Sequence, residues 1–232
     1  MTFVNSFELT NIAVILCAES SMKRKILGPD FFDRPTLVVA KELIGKFLVR
    51  RISGKEMALM ITETESYDGY KDRASKGSRG QTAGNAPMFA KAGTIYVYFT
   101  YGMHWMLNVA TREEGYPGAV LIRGGMLLHL HKQDQIYSGI LENLRIDGPA
   151  RLTKKLQIDK RLNALTLHKK VGLWIEDRGV IIPSRDIQRT PRIGIDSAGS
   201  PWVEKKYRLV LKNPSTKLRV KKKGPSLRTG PF

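Results

Sequence analysis

Apolar residues recur along this chain in two periods. Leu37, Val38, Ala40, Leu43 and Ile44 fall at helical spacing behind Asp33-Arg34-Pro35-Thr36, with Gly45 beyond them. Pro in the first turn, Asp or Thr as cap and Gly as terminator predict a helix there. Phe47–Ile52 and residues 57–64 then read as two strands joined at Ser53-Gly54-Lys55, a hairpin-type turn. Further on, Ile95, Val97 and Phe99 alternate with Tyr96, Tyr98 and Thr100. This strand, 93–100, meets another over 105–111 at Tyr101-Gly102, and a turn at 114–118 leads into a strand over 119–123. Short strands in direct succession predict an antiparallel meander, not βαβ units.

Between these elements the pattern weakens. Residues 66–92 are too polar and too rich in Gly and Ala for regular structure throughout, and a loop of that length in a compact domain is commonly functional. Residues 126–144 mix Leu127, Leu128, Leu130 and Ile136 with polar residues, so a helix and an irregular connection are equally open. Gly148-Pro149 opens a short helix through Leu156, and 172–176, 180–183 and 207–212 read as strands. Periodicity ends near Asn213.

Composition narrows the partners. The 232 residues can bury a sizeable core, as one domain or at most two small ones. Lys and Arg number 39 against 21 Asp and Glu, a formal +18, which points to a polyanion, with nucleic acid ahead of an anionic membrane. A basic protein that binds nothing, such as a ribosomal accessory, stays open on charge alone. The last 32 residues hold ten Lys or Arg and one Glu. Residues 213–232 are therefore expected to be a basic tail without regular structure, either solubilising or phosphate-attracting. Cys17 is the only cysteine, so no internal disulfide and no thiolate zinc site can form. His129 and His131 alternate as two ligands on a strand would, but without an evident acidic partner; no metal and no cofactor are expected. No apolar run approaches the ~20 residues that span a bilayer. No Lys or Arg precedes the apolar segment 12–18, and Met22 stands before Lys23-Arg24-Lys25 as a second possible start. Residues 1–25 are expected to be an extension outside the fold.

The chemistry concentrates between Ile61 and Ala110. Glu63 and Glu65 end an apolar run, with Tyr67 directly after them and the tyrosines of 96–101 beyond the loop. An acid at a strand end, several π-faces and a tight aromatic turn in a basic protein are the parts needed to act on a base drawn out of DNA. Taken singly, Glu65 could as well be a solvated strand end and Tyr98 a core residue. Asn108 and Arg123, on neighbouring strands, could equally form a structural hydrogen bond. Glu63 would share a face with Glu65 and is kept as a supporting group.

LGPDFFDRPTLVVAKELIGKFLVR, ITETESY, NAPMF, GTIYVYFTYGMHWMLNVAT, AVLIRG, GPARLTKKLQID and PRIGIDSAG occur in that order. Together they resemble the alkyladenine (3-methyladenine) DNA glycosylases of the mammalian type, a family with bacterial members. The resemblance implies a single α+β domain over 26–212, built on a curved, mostly antiparallel sheet surrounded by helices. It implies a monofunctional hydrolase of base-excision repair that flips alkylated or deaminated purines and leaves an abasic site. Glu65 matches the general base and Arg123 a group beside the water. Tyr67 and Tyr98 match the aromatics that sandwich the base, and Asn108 the residue that crowds the 2-amino group of guanine. Tyr101 matches the wedge left in the stack, while Met103 and Leu121 line the DNA face. Lys76 stands among the base contacts where the family usually has His. Gly84 stands where Arg usually precedes the Asn of NAPMF, and SPWVEKK replaces the common EWADKP. The implied partner is double-stranded DNA containing damaged purines, bound by a monomer, with no membrane; a bacterial member would be cytoplasmic, at the nucleoid. A non-catalytic nucleic-acid-binding protein and a bifunctional glycosylase-lyase are the alternatives.

Overall fold

The computed structural model describes residues 24–128, 145–212 and 219–220. Two short helices come first, α1 (Pro29–Phe32) and α2 (Thr36–Leu43), after a two-residue strand β1 (Lys25–Ile26). β2 (Phe47–Ile52) and β3 (Lys55–Asp68) form the predicted hairpin, turning at Ser53 and Gly54, both with positive φ. That backbone twist matches the flanking strands. β4 (Ile95–Thr100), β5 (His104–Ala110) and β6 (Gly118–Leu128) follow as the meander. β7 (Arg145–Asp147), α3 (Pro149–Lys155), β8 (Leu173–Asp177), β9 (Val180–Ile181), β10 (Ile187–Thr190), β11 (Arg208–Leu211) and β12 (Arg219–Val220) complete the described elements.

Ten strands make one sheet, in the order β1-β8-β2-β3-β6-β5-β4 along its main path, and every pairing is antiparallel. The chain is an α+β domain, as its motifs implied. β3 is the hub. Lys55 to Met60 pair with β2, Ala58 to Asp68 with β6, and Glu63 to Glu65 with β11 on the side that β2 has left. The register with β6 shifts on both sides of Glu63. Gly124 and Gly125 sit opposite this irregularity, and a Cβ on Gly125 would meet the Leu59 side chain at 2.0 Å. Glycine is required there because the β3 side chains fill the space a larger residue would need.

One face of the sheet carries the main core. Val97, Leu107, Val109, Val120 and Ile122 pack there with Val39, Ala40 and Leu43 of α2 and Leu152 of α3. Thr64 Oγ1 donates to the Ala40 carbonyl at 2.9 Å, tying β3 to α2 on that side. Neither Asp33 nor Thr36 caps α2. Asp33 ends α1, and Thr36 Oγ1 donates instead to Asp68 Oδ1 at 2.8 Å.

Three expectations change. Glu65 is not at a strand end, because β6 carries the pairing of β3 on to Asp68 while β11 pairs across Glu63 to Glu65 on the other side. Lys25 and Ile26 belong to the sheet, pairing with Asp177 and Glu176, so the ordered chain reaches into the supposed extension. Arg219 and Val220 of the basic tail pair with Ile181 and Val180. The rest of that tail, residues 1–23, and 129–144 with His129 and His131 lie outside the described residues.

Candidate active site

The opposite face of the same strands holds the chemistry. Strand register places Arg208 of β11, Glu65 of β3, Leu121 of β6, Asn108 of β5 and Tyr96 of β4 in one row across the sheet. Residues in register share a face, so alternate positions add Tyr67 beside Glu65 and Tyr98 beside Tyr96. Tyr67 and Tyr98 both pack on a small cluster of Met88, Phe89, Tyr96 and Ala119. Pro87, Met88 and Phe89 come from the short turn Ala86–Phe89 at the end of the long loop.

Glu65 is fully buried, at 0% exposure. Its Oε1 accepts from the Ile193 backbone N–H at 2.9 Å, and its Oε2 from the Tyr67 hydroxyl at 2.8 Å. Arg123 Nη1 reaches Oε2 at 3.4 Å. Burial raises the Glu65 pKa, while the Arg123 charge and the two hydrogen bonds oppose it. Three donors on a carboxylate sealed from bulk water let it stay ionised and still bind a proton more tightly than usual. Such a group can take a proton from water, which is what a general base must do.

Arg123 is held from behind. Its Nε donates to Glu63 Oε1 at 2.8 Å, and Arg208 Nε donates to the same oxygen at 2.7 Å. Burial disfavours the Arg123 charge, but Glu65 and Glu63 outweigh that cost and raise its pKa. Two acids and two guanidinium groups thus form a closed charge group. Glu63 is the hinge between them, which the sequence pattern suggested only as a supporting role. Asn108 makes no bond to Arg123; its Nδ2 donates to the Tyr96 carbonyl at 3.2 Å.

The aromatic plates are each fixed by a cation. Arg192, buried, lies with its Cζ 4.7 Å from the Tyr67 ring centroid. It binds Asp72 through both terminal nitrogens, one at 2.8 Å, and donates to the Ser66 carbonyl at 2.8 Å. Lys76 Nζ stands 4.6 Å from the centroid of Tyr98. Burial pushes the Tyr98 hydroxyl up to about 12, and burial followed by the Glu65 charge raises Tyr67 further, so both rings stay neutral at physiological pH. Asn85 orders the loop that carries Lys76. Its Nδ2 donates to the Lys76 carbonyl at 2.8 Å and the Gly80 carbonyl at 3.0 Å, and its Oδ1 accepts from Thr82 N–H.

At the β4–β5 tip, Tyr101 is 78% and Met103 65% exposed; Ile193 is 52% exposed, and a Cβ on its neighbour Gly194 would lie 3.9 Å from the Tyr101 hydroxyl. Tyr101 adopts φ 52°, a conformation that costs an aromatic residue of order 1 kcal/mol and is seldom kept without use. Leu121, expected on the DNA face, is instead 3% exposed, enclosed between Glu65 and Asn108 in the row. Its strand is central, so both neighbours cover it. Ile193, Arg192, Asp72 and Arg208 escaped the sequence reading, and Asn85 entered it only as the first residue of NAPMF. Only PRIGIDSAG pointed to the segment of Arg192 and Ile193, and nothing paired either with an acid.

Among the described residues no group of three or more His, Cys, Asp or Glu is placed to hold a metal ion. Nor is any described helix long and apolar enough to cross a membrane.

A buried, donor-held carboxylate thus lies beside two aromatic rings, with an exposed aromatic tip on the same sheet. The family model for methylpurine-DNA glycosylase matches residues 30–215. Three similar proteins each bear the name "Putative 3-methyladenine DNA glycosylase". That of Methanocella arvoryzae is 40% identical over 186 residues, covering 76% of this chain and 90% of the relative. That of Prosthecochloris aestuarii is 43% identical over 173 residues, covering 73% and 81%. That of Ehrlichia chaffeensis is 38% identical over 200 residues, covering 86% of this chain and all of the relative. The chain belongs to the methylpurine-DNA glycosylase family, and the resemblance drawn from its motifs is borne out.

Proposed function

We propose that this protein binds double-stranded DNA as a monomer, extrudes a damaged purine and hydrolyses its N-glycosidic bond, leaving an abasic site. The observation that carries this reading is Glu65: a carboxylate at 0% exposure, held by Ile193 N–H, Tyr67 and Arg123 and flanked by two aromatic plates. Glu65 takes a proton from water attacking C1′, and its charge offsets the oxocarbenium character that builds on the sugar. Arg123, aimed by Glu63, keeps Glu65 ionised and positions the water. The purine lies between Tyr67 and Tyr98, where stacking accepts many base shapes and is worth ~1–3 kcal/mol per base. Lys76 borders that slot. Asn108, in the row beside Leu121, limits the space for a 2-amino group on an undamaged guanine. Tyr101 fills the gap left in the duplex, with Met103 beside it on the DNA side. The folded unit covers residues 26–212 together with Lys25, and the basic stretch 213–232 adds phosphate attraction. The substrate range includes 3-methyladenine, 7-methylguanine, hypoxanthine and ethenoadenine, and the enzyme works in the cytoplasm at the nucleoid if the source is bacterial.

The test is single-turnover release of hypoxanthine from a duplex by wild type and by Glu65→Gln. Release by the wild type, and its loss in the variant with lesion binding retained, is the expected result. Equal release by both would place the base elsewhere. Borohydride should trap no covalent complex; a trapped Schiff base would mean lyase chemistry, with Lys76, its Nζ 4.6 Å from the Tyr98 centroid, the candidate amine.

A further inference from the structure

Resting on that reading of the slot, we infer that Lys76 is a specificity-determining residue that turns the site toward neutral purines and away from cationic ones. The two plates differ in one respect. The cation on Tyr67 is Arg192, whose charge is cancelled by a bidentate, buried pairing with Asp72. The cation on Tyr98 is Lys76, and among the described residues it enters no salt bridge. Lys76 therefore leaves a whole uncompensated charge against one wall of the slot.

Its place is built, not accidental. Ser75 and Gly77 on either side are buried, and a Cβ on Gly77 would meet Pro117 at 2.4 Å, so the loop is wedged against β6's entry. Ser75 Oγ accepts from Gly77 N–H at 3.2 Å, and Asn85 takes the Lys76 carbonyl at 2.8 Å. The backbone of Lys76 is thus tied on both sides, and only its side chain is free to move. That side chain lies on the ring, 4.6 Å from its centroid.

Two effects then disfavour a cationic base. A purine stacked on Tyr98 lies ~3.5 Å from the ring plane, so a charge over the ring centre is about 8 Å from the ammonium when the two occupy opposite faces. Two unit charges at that distance, at an effective dielectric of about 20, repel by the equivalent of roughly thirtyfold in an equilibrium constant. Lys76 is exposed, and solvent screening of such a charge halves the exponent, leaving about fivefold. In addition, the attraction of a cationic base for the tyrosine quadrupole is weakened when a protein cation already occupies it. Purines alkylated on N3 or N7 are cationic as nucleosides; deaminated and etheno bases are neutral.

The experiment measures kcat/KM for duplexes carrying hypoxanthine or 7-methylguanine with wild type, Lys76→Gln and Lys76→Arg. Lys76→Gln should lower the hypoxanthine to 7-methylguanine ratio about fivefold, and Lys76→Arg should restore it. Raising the salt concentration should move the wild-type ratio toward that of Lys76→Gln. A ratio that stays constant in Lys76→Gln while both substrates weaken alike would make Lys76 a phosphate contact and overturn the inference. A ratio that Lys76→Arg fails to restore would assign the effect to shape and overturn it as well. Release of neither base by wild type is a distinct failure, because it removes the glycosylase reading itself.

Discussion

The two faces of strands β3 to β6 each hold a fully buried residue and do opposite work. Ile122 and Glu65 are both at 0% exposure. On the Ile122 face, burial removes apolar surface from water and is stabilising throughout. On the Glu65 face, Glu63, Glu65 and Arg123 are buried together with a half-buried Arg208, and each bond there offsets a desolvation cost. The first face holds the molecule together, while the second is kept charged and shaped at the molecule's expense. A sheet can afford such a site because the strands are anchored from behind.

The largest effect that would sharpen this contrast is at Glu65. Glu65→Gln should lower single-turnover excision by ~10²–10⁴, since size and polarity are kept and the proton acceptor is lost. The same variant should melt higher at neutral pH. A carboxyl with a higher pKa in the folded state binds its proton more tightly there. Folding is then favoured below the unfolded pKa and loses that support as pH rises through the folded one. Burial raises the Glu65 pKa, so at neutral pH its charge costs stability, and the neutral amide should recover of order 1 kcal/mol. Calorimetry of the two proteins checks this, and a variant that melts lower would break the comparison.

Ile122→Ala tests the other face. It should destabilise by about 2–5 kcal/mol, the range for truncating a buried aliphatic side chain. Excision per folded molecule at low temperature should be nearly unchanged. If chemical denaturation shows that loss together with a catalytic loss as large as that of Glu65→Gln, the faces are not separable.

A third expectation concerns pH directly. Excision of a neutral base should fall as pH drops through the Glu65 pKa, because the base must be ionised, and the midpoint should lie above the ordinary carboxylate range. A pH–rate profile with its acid limb at or below that range would mean the donors around Glu65 outweigh its burial.

The smallest effect is at the tip. Tyr101→Gly removes a side chain from a residue at φ 52°, so stability should hold or rise by ~1 kcal/mol. Excision from duplex should fall more than excision from single-stranded substrate, where no gap needs filling. Equal losses on both substrates would make Tyr101 a turn residue only.

Much of this protein was legible in order of sequence. Period-two alternation set β4 and β5, the Ser53-Gly54 turn set the β2–β3 register, and the collinear motifs marked Glu65, Tyr67, Tyr98 and Arg123. These are local signals, carried by residues that are neighbours along the chain or that repeat a family's spacing. Tertiary structure alone decided the rest, because it joins residues far apart. Arg208 meets Glu63 across 145 positions, Ile193 meets Glu65 across 128, and Arg192 meets Asp72 across 120. No periodicity encodes such pairs. β11 also decided that Glu65 is interior: a strand of four residues, weak as a sequence signal, covers the flank that β2 leaves open. Burial, and with it the acidity of Glu65, therefore follows from which strand lies beside β3, and strand order is settled only when the whole sheet assembles.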